Sequence, residues 1–252
     1  MVFLPRVRTA IRYLSRADPI HKWKLSRGRC PACGRRLFVS LKQSDFMTRC
    51  LSCGANAVNL SVISVIEKEF GALTGVAHAY ELSTYGATHN YLRNNFGQFT
   101  ASEYMPGKCK GAVINGVRNE DIQDLTFADD SFDLITSNQV MEHVPDDIKG
   151  FQECLRTLKP GGRLLFTVPL YDTPHTIKMA EVTPAGINFL QEPEYHDSRL
   201  AGPRSALVFW RHSFHDICDR LRAARFNTAE LVNVIIAPSQ GLTTKVVRAV
   251  KN

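Results

Sequence analysis

No stretch of this chain approaches the ~20 apolar residues that a membrane-spanning helix needs, so nothing in it is expected to cross a bilayer. A secretory signal is missing as well, because arginines interrupt every apolar run near the N-terminus; an organelle transit peptide stays compatible with that composition. The glycine fingerprint GxGxxG is nowhere present, which argues against a dinucleotide dehydrogenase. Negative charge is scarce at one end. Residues 1–29 carry Arg6, Arg8, Arg12, Arg16, Lys22, Lys24, Arg27 and Arg29 against Asp18 alone. Leu4, Val7, Ile11 and Leu14 recur there at helical spacing, so residues 1–27 read as a basic amphipathic leader. Such a helix packs its apolar stripe on the main domain, lies on an anionic membrane surface, or tracks the phosphates of nucleic acid. The rest is ordinary. With 252 residues, 44% of them hydrophobic and 22% charged, the chain can bury one large core plus a small accessory module. The net charge of +7 is modest and unevenly spread.

Cysteine is few but patterned. Cys30-Pro-Ala-Cys33-Gly and Cys50-Leu-Ser-Cys53-Gly are two CxxC pairs separated by 16 residues, a spacing that fits a zinc ribbon over residues 28–58. Each pair can make a tight turn presenting two thiolates, and four thiolates leave Zn²⁺ no open position, so the metal would be structural. Iron in the same four ligands and redox use of the thiols are the alternatives, but the thioredoxin-like βαβ context of a redox CxxC is absent. Cys109, Cys154 and Cys218 are scattered, and Cys154 lies at a helical position next to the buried face, a place for core rather than chemistry. Reduced thiols beside a metal site suggest a cytoplasmic protein, peripheral to a membrane if the leader binds one.

The densest signal runs from Ser131 to Gly162. Phe132, Leu134 and Ile135 make a short buried strand, which Ser137, Asn138 and Gln139 interrupt with polar groups. Asp146 and Asp147 follow Pro145 and suit the first turn of a helix, where carboxylates meet unpaired N–H groups. Ile148, Phe151, Leu155 and Leu158 continue it at helical spacing, Lys159-Pro160-Gly161-Gly162 stops it, and Arg163 to Val168 is a second strand. That is a βαβ unit. Ligands of such sheets bind beyond the carboxyl ends of the strands, so Ser137 to His143 should face a site.

FADDSFDLITSNQVMEHVPD followed by LKPGGRLLFTVP resembles the second half of the class I S-adenosylmethionine (SAM) dependent methyltransferase domain, in the type 11-like branch, with Thr126 in place of the usual proline. The resemblance covers roughly residues 61–250 and implies a Rossmann-like sheet of seven strands, mostly parallel with an antiparallel C-terminal strand. It places the domain over residues 59–252 and makes SAM the co-substrate. Upstream, the first strand should be Val76 to Tyr80, ending at Glu81. The family's glycine loop would then be Glu81-Leu-Ser83-Thr-Tyr85-Gly86, with serine and tyrosine where the first two glycines are expected. A plain strand-to-helix turn is the bland reading of that loop. Gln98 to Ser102 is the second strand, and Glu103 matches the acid that binds the ribose, unless it is a solvated surface glutamate. Met105 to Asn115 reads as a loop and Val117 to Asp121 as the third strand. By resemblance Asp121 accepts from the adenine amine and Ile122 packs on its ring; both would serve equally as turn cap and core. Ser137 and Asn138 would line the floor near the sulfonium.

His143 stands beside Glu142 on that edge and suits a general base, or a structural histidine that bonds a loop. The long segment 169–205 reads as an acceptor cap, in which Tyr195-His196-Asp197 offers a base, a metal ligand or only hydrogen bonds. Phe214, Ile217 and Leu221 mark a last large helix, and Leu231 to Ile236 with Thr244 to Val250 an antiparallel pair. The family's Asn/Asp-Pro-Pro-aromatic motif of amine methylation is missing. The expected activity is therefore methyl transfer to a small-molecule, lipid or glycan hydroxyl, with an RNA methyltransferase or a catalytically inactive binding module of the same fold as alternatives.

Overall fold

A computed structural model describes residues 24–40, 47–198, 202–237 and 242–252; the basic stripe from Leu4 to Leu14 lies outside them. The described residues fall into two compact units. One takes in the described residues up to Ala77 with those of Tyr85–Phe99 and Val232–Val246, the other those of His78–Thr84, Thr100–Leu231 and Val247–Asn252.

In the first unit, strands Lys24–Arg27, Leu37–Ser40 and Thr48–Cys50 form an antiparallel sheet in that order, so the last residues assigned to the leader are a ribbon strand. The cysteine pairs sit on matching turns. Gly34 N donates to Cys30 O at 2.8 Å and Gly54 N to Cys50 O at 2.9 Å, and both glycines hold a φ near +70 to +76° that side chains resist. Helix Ala57–Phe70 starts on Asn56, whose Oδ1 accepts from Asn59 N at 3.0 Å while Asn59 Oδ1 accepts from Asn56 N. It buries Leu60, Val62, Ile63, Ile66 and Phe70. Helix Gly86–Asn95 is tied to it by Asn59 Nδ2 donating to Thr88 Oγ1 at 3.1 Å, and Phe96 meets Phe70 at 5.7 Å between ring centroids.

The main sheet runs Thr228–Ala237, Leu242–Val250, Leu158–Thr167, Phe132–Asn138, His78–Glu81, Gln98–Glu103, Val117–Asn119, Val113–Ile114. His78–Glu81 and Leu158–Thr167 each pair parallel with Phe132–Asn138, whereas Leu242–Val250 is antiparallel to Leu158–Thr167. This is the Rossmann-like arrangement the sequence led us to expect. The core of the second unit is aromatic and aliphatic: Tyr80, Phe132, Phe151, Phe166, Leu134 and Ile135 are all at most 1% exposed. Tyr80 stacks on Phe132 at 5.0 Å, and its hydroxyl meets Ser102 Oγ at 2.6 Å. Helix Asp147–Thr157 begins on Asp146, which accepts from Lys149 N at 3.0 Å. At its far end Arg156 holds the carbonyls of Leu125 and Phe127.

Several elements differ from expectation for physical reasons. The sheet has an eighth strand inside the stretch read as a loop, because Asn115-Gly116, both at positive φ, close a two-residue hairpin onto Val117–Asn119. Residues 158–162 belong to a strand and not to a helix stop. Gly161 N donates to Lys251 O and Lys251 N to Gly162 O, drawing the segment into the sheet. The last helix is short, Ile217–Ala223. Asp216 spends its carboxylate on Thr176 instead of capping, and Arg225 at φ 76° ends the helix with Phe226 N donating to Leu221 O. Segment 169–205 holds two short strands, Leu170–Tyr171 and Ile177–Lys178, that pair with Trp210–Ser213, then the antiparallel pairs Ala180–Thr183 with Gly186–Phe189 and Tyr195–Ser198 with Gly202–Leu207.

Candidate active site

Parallel strands present their carboxyl ends on one edge, where backbone turns outward and polar side chains collect. Beyond those ends in the second unit lies a cavity of about 710 Å³, within the range of small-molecule pockets. Glu103 and Tyr104 reach it from the end of Gln98–Glu103, Asp121 and Ile122 from the turn after Val117–Asn119, and Gln139 and His143 from the residues after Phe132–Asn138. Met105, Val140, Val144, Leu207 and Phe209 give it an apolar wall.

Glu103 is positioned by the preceding loop. Its Oε1 accepts from Thr84 N and from Thr84 Oγ1, both at 2.7 Å, and its Oε2 accepts from no described residue. Asp121 Oδ1 accepts from Gln123 N at 2.9 Å and from Gln123 Nε2 at 3.1 Å, so it caps its own turn while facing the cavity. Ile122 is 7% exposed and bridges core and cavity. A carboxylate oxygen still open to a diol, a second acid and an apolar face beside it form a set of acceptors that suits the hydroxyls and amine of a nucleoside.

The other residues expected to hold the cofactor are not cavity wall. Glu81 is buried, with Thr136 Oγ1 donating to its Oε2 and Asn138 Nδ2 to its Oε1 at 3.3 Å; burial pushes its pKa up to about 8. Asn138 Oδ1 accepts from Thr167 Oγ1 at 3.3 Å. Ser137 is fully buried, in a strand whose residues Leu134 to Ser137 are buried on both faces. Ser83 is half-buried outside the lining. Tyr85 is 44% exposed, and Gly86 opens helix Gly86–Asn95 at φ +94° in the other unit.

His143 and His196, named separately from sequence, come together. Their rings meet edge to face at 5.0 Å, with Glu142 between them. His143 Nδ1 donates to Leu207 O at 2.8 Å, which leaves Nε2 with the lone pair. Burial lowers the His143 pKa, so the ring is neutral at neutral pH. Tyr195 is exposed, and Asp197 accepts from Arg204 N. Sequence reasoning missed Tyr104 and Met105, although they directly follow the strand-end acid. It also missed Leu207 and Phe209, whose place depends on the return of the cap.

In the first unit the four sulfurs of Cys30, Cys33, Cys50 and Cys53 cluster within 4.8 Å of one another, with Cys30 to Cys53 at 3.8 Å and Cys33 to Cys50 at 3.7 Å. Four sulfurs about 2.3 Å from a tetrahedral Zn²⁺ would be about 3.8 Å apart. The donor set and its spacing fit the ion.

Residues 83–166 match the family described as a methyltransferase domain. A demethylmenaquinone methyltransferase of Clavibacter sepedonicus is 39% identical over 137 residues, 48% of this chain and 52% of that protein. A ubiquinone biosynthesis O-methyltransferase of Xanthomonas oryzae pv. oryzae is 35% identical over 94 residues, 34% of this chain and 39% of that protein. This chain thus spans about half, or less, of the length of these curated relatives. Among solved structures, a SAM dependent methyltransferase from Mesorhizobium loti shares the fold with a TM-score of 0.50 at 14% identity, over 76% of this chain and 98% of that one.

Proposed function

We propose that this chain, whose residues 83–166 belong to the methyltransferase-domain family, transfers a methyl group from SAM to a hydroxyl on a small-molecule or lipid acceptor. The observation that carries the reading is the cavity at the strand ends, which joins Glu103, Asp121 and Ile122 to His143 along one wall system. SAM supplies the activated methyl group. Glu103 would take the ribose hydroxyls, Asp121 the adenine amine, and Ile122 the ring face, each in the role the family pattern gives it. Met105, Val144, Leu207 and Phe209 exclude water and favour an acceptor with an apolar body. The name of the Xanthomonas relative describes O-methylation and supports an oxygen acceptor, while that of the Clavibacter relative supports a quinone-like body and names no methylated atom. The cluster of Glu142, His143 and His196 would handle the acceptor's hydroxyl proton, while alignment in the cavity supplies most of the rate. In the same reading Cys30, Cys33, Cys50 and Cys53 hold one Zn²⁺ that closes the ribbon and has no part in the chemistry.

SAM binding tests this. At a hundred times its dissociation constant, SAM should stabilise the protein by about 2.7 kcal/mol in thermal unfolding. Glu103→Ala should remove most of that gain, and NAD should give none. If neither SAM nor its demethylated product shifts unfolding, the chain is a binding module with this fold and not an enzyme.

A further inference from the structure

Glu142 is 1% exposed, and neither of its carboxylate oxygens has a hydrogen-bond partner among the described residues. A buried acid without a partner is costly, and native structures rarely tolerate one unless something else occupies the place of a donor.

Two imidazoles face it. His143 Nε2 and His196 Nδ1 each lie 3.8 Å from the same oxygen, Glu142 Oε1. The outward nitrogen of each ring is already engaged. His143 Nδ1 donates to the carbonyl of Leu207, which can only accept. His196 Nε2 meets Glu194 Oε1 at 3.4 Å, and Arg211 Nε holds that carboxylate at 2.8 Å, so Nε2 is the protonated nitrogen of His196 as well. In the neutral tautomers that these bonds select, both inward nitrogens carry lone pairs. Three potential ligand atoms converge within 4.8 Å, one of them on a carboxyl group whose two oxygens meet no hydrogen-bond partner among the described residues.

We propose that Glu142, His143 and His196 form a binding site for a divalent transition-metal cation at the wall of the cavity. Imidazole nitrogens whose far N–H groups are fixed by a carbonyl and a carboxylate are the usual support of metal ligands, since those bonds set tautomer and ring orientation. Two imidazoles and a carboxylate suit zinc and the neighbouring first-row ions. Ligands about 2.0–2.2 Å from such an ion sit roughly 3.0–3.5 Å apart, so small side-chain rotations close the 3.8 Å separations. Three protein ligands leave coordination positions open, unlike the closed set of four cysteines, and His143 lines the cavity into which those positions would face.

The role of the ion rests on the proposed methyl transfer; its presence does not. With the ion bound, the three side chains handle the acceptor's proton as ligands and not as bases: a hydroxyl on the ion gives up its proton to solvent more readily. Its oxygen lone pair then forms the new O–CH₃ bond as the C–S bond of the sulfonium breaks and leaves its electron pair on sulfur.

The test is metal counting on the full chain. After dialysis against Zn²⁺, elemental analysis of the unaltered protein should return about two equivalents, one in the cysteine cluster and one here. Glu142→Gln and His196→Ala should each return about one, and Zn²⁺ added to zinc-depleted protein should raise the melting temperature less in the variants. His196 is partly exposed on a hairpin, so its variant keeps the test alive if Glu142→Gln fails to fold. Equal counts in all three proteins would overturn the proposal and leave Glu142 a buried, protonated acid. A difference of one equivalent without any response to SAM would keep the site and remove only its role in methyl transfer.

Discussion

Glu81→Gln keeps the size of a buried side chain and removes its ability to ionise. Burial, with the charge of Glu103 adding to it, outweighs the bonds from Thr136 and Asn138 and raises the pKa of Glu81 from an ordinary 4.5 to about 8. Between those two values the folded chain holds a proton that the unfolded chain has lost. Stability from this group is therefore complete below pH 4.5 and falls as the pH rises toward 8. The slope is at most about 1.4 kcal/mol per pH unit, so on the order of 3 kcal/mol disappears between pH 5 and pH 7. The variant lacks this loss. Urea unfolding of both proteins at pH 5, 6 and 7 measures the difference, in which contributions from every other titrating group cancel. The two proteins should be of similar stability at pH 5, and the glutamine variant should be the more stable at pH 7. Parallel curves, with no change in the gap across that range, would show that Glu81 is ionised in the fold and refute the reasoning.

Other perturbations reach different parts of the molecule. Arg220→Met should cost roughly 3–5 kcal/mol, because Asp147 is 0% exposed and its carboxylate is held by Arg220 Nε at 2.8 Å; denaturant midpoints would check it. Cys33→Ser should lose the ribbon's zinc by elemental analysis while the circular dichroism of the main sheet persists. Asn56→Ala removes the cap of helix Ala57–Phe70 and should lower stability by about 1 kcal/mol in the unit that contains it, visible as faster amide exchange in the first helical turn.

Much of the fold was legible because its signals are local. Phe132 to Ile135, the capped helix after Pro145 and the apolar run after Gly162 announce strand, helix and strand by periodicity alone. The two CxxC pairs announce their turns in the same way. Asp121 and Ile122 came from the family resemblance and Glu103 from that resemblance and its place at a strand tip; all three line the cavity. Asn115-Gly116 carried a hairpin signal that was there to be read, but the flanking strands are too short to show alternation. The meeting of Glu142, His143 and His196 was not legible. It depends on how the Tyr195–Ser198 hairpin folds back, which no local spacing encodes. Polarity did mark the strand's end, which falls at Asn138, but it did not show that Ser137 is fully buried.

The indole of Trp210 donates to the carbonyl of Val144 at 2.9 Å, and the guanidinium of Arg220 lies 4.4 Å from its ring centroid. Val144 ends the Met141–His143 turn and lines the cavity, so the fluorophore is wired to the wall that a ligand would touch. The sequence holds only one other tryptophan, Trp23. A Trp23→Phe protein would thus carry a single emitter, and its colour and lifetime would report the position of that turn. Occupancy of the cavity becomes an optical quantity, readable in a stopped-flow cell without any label.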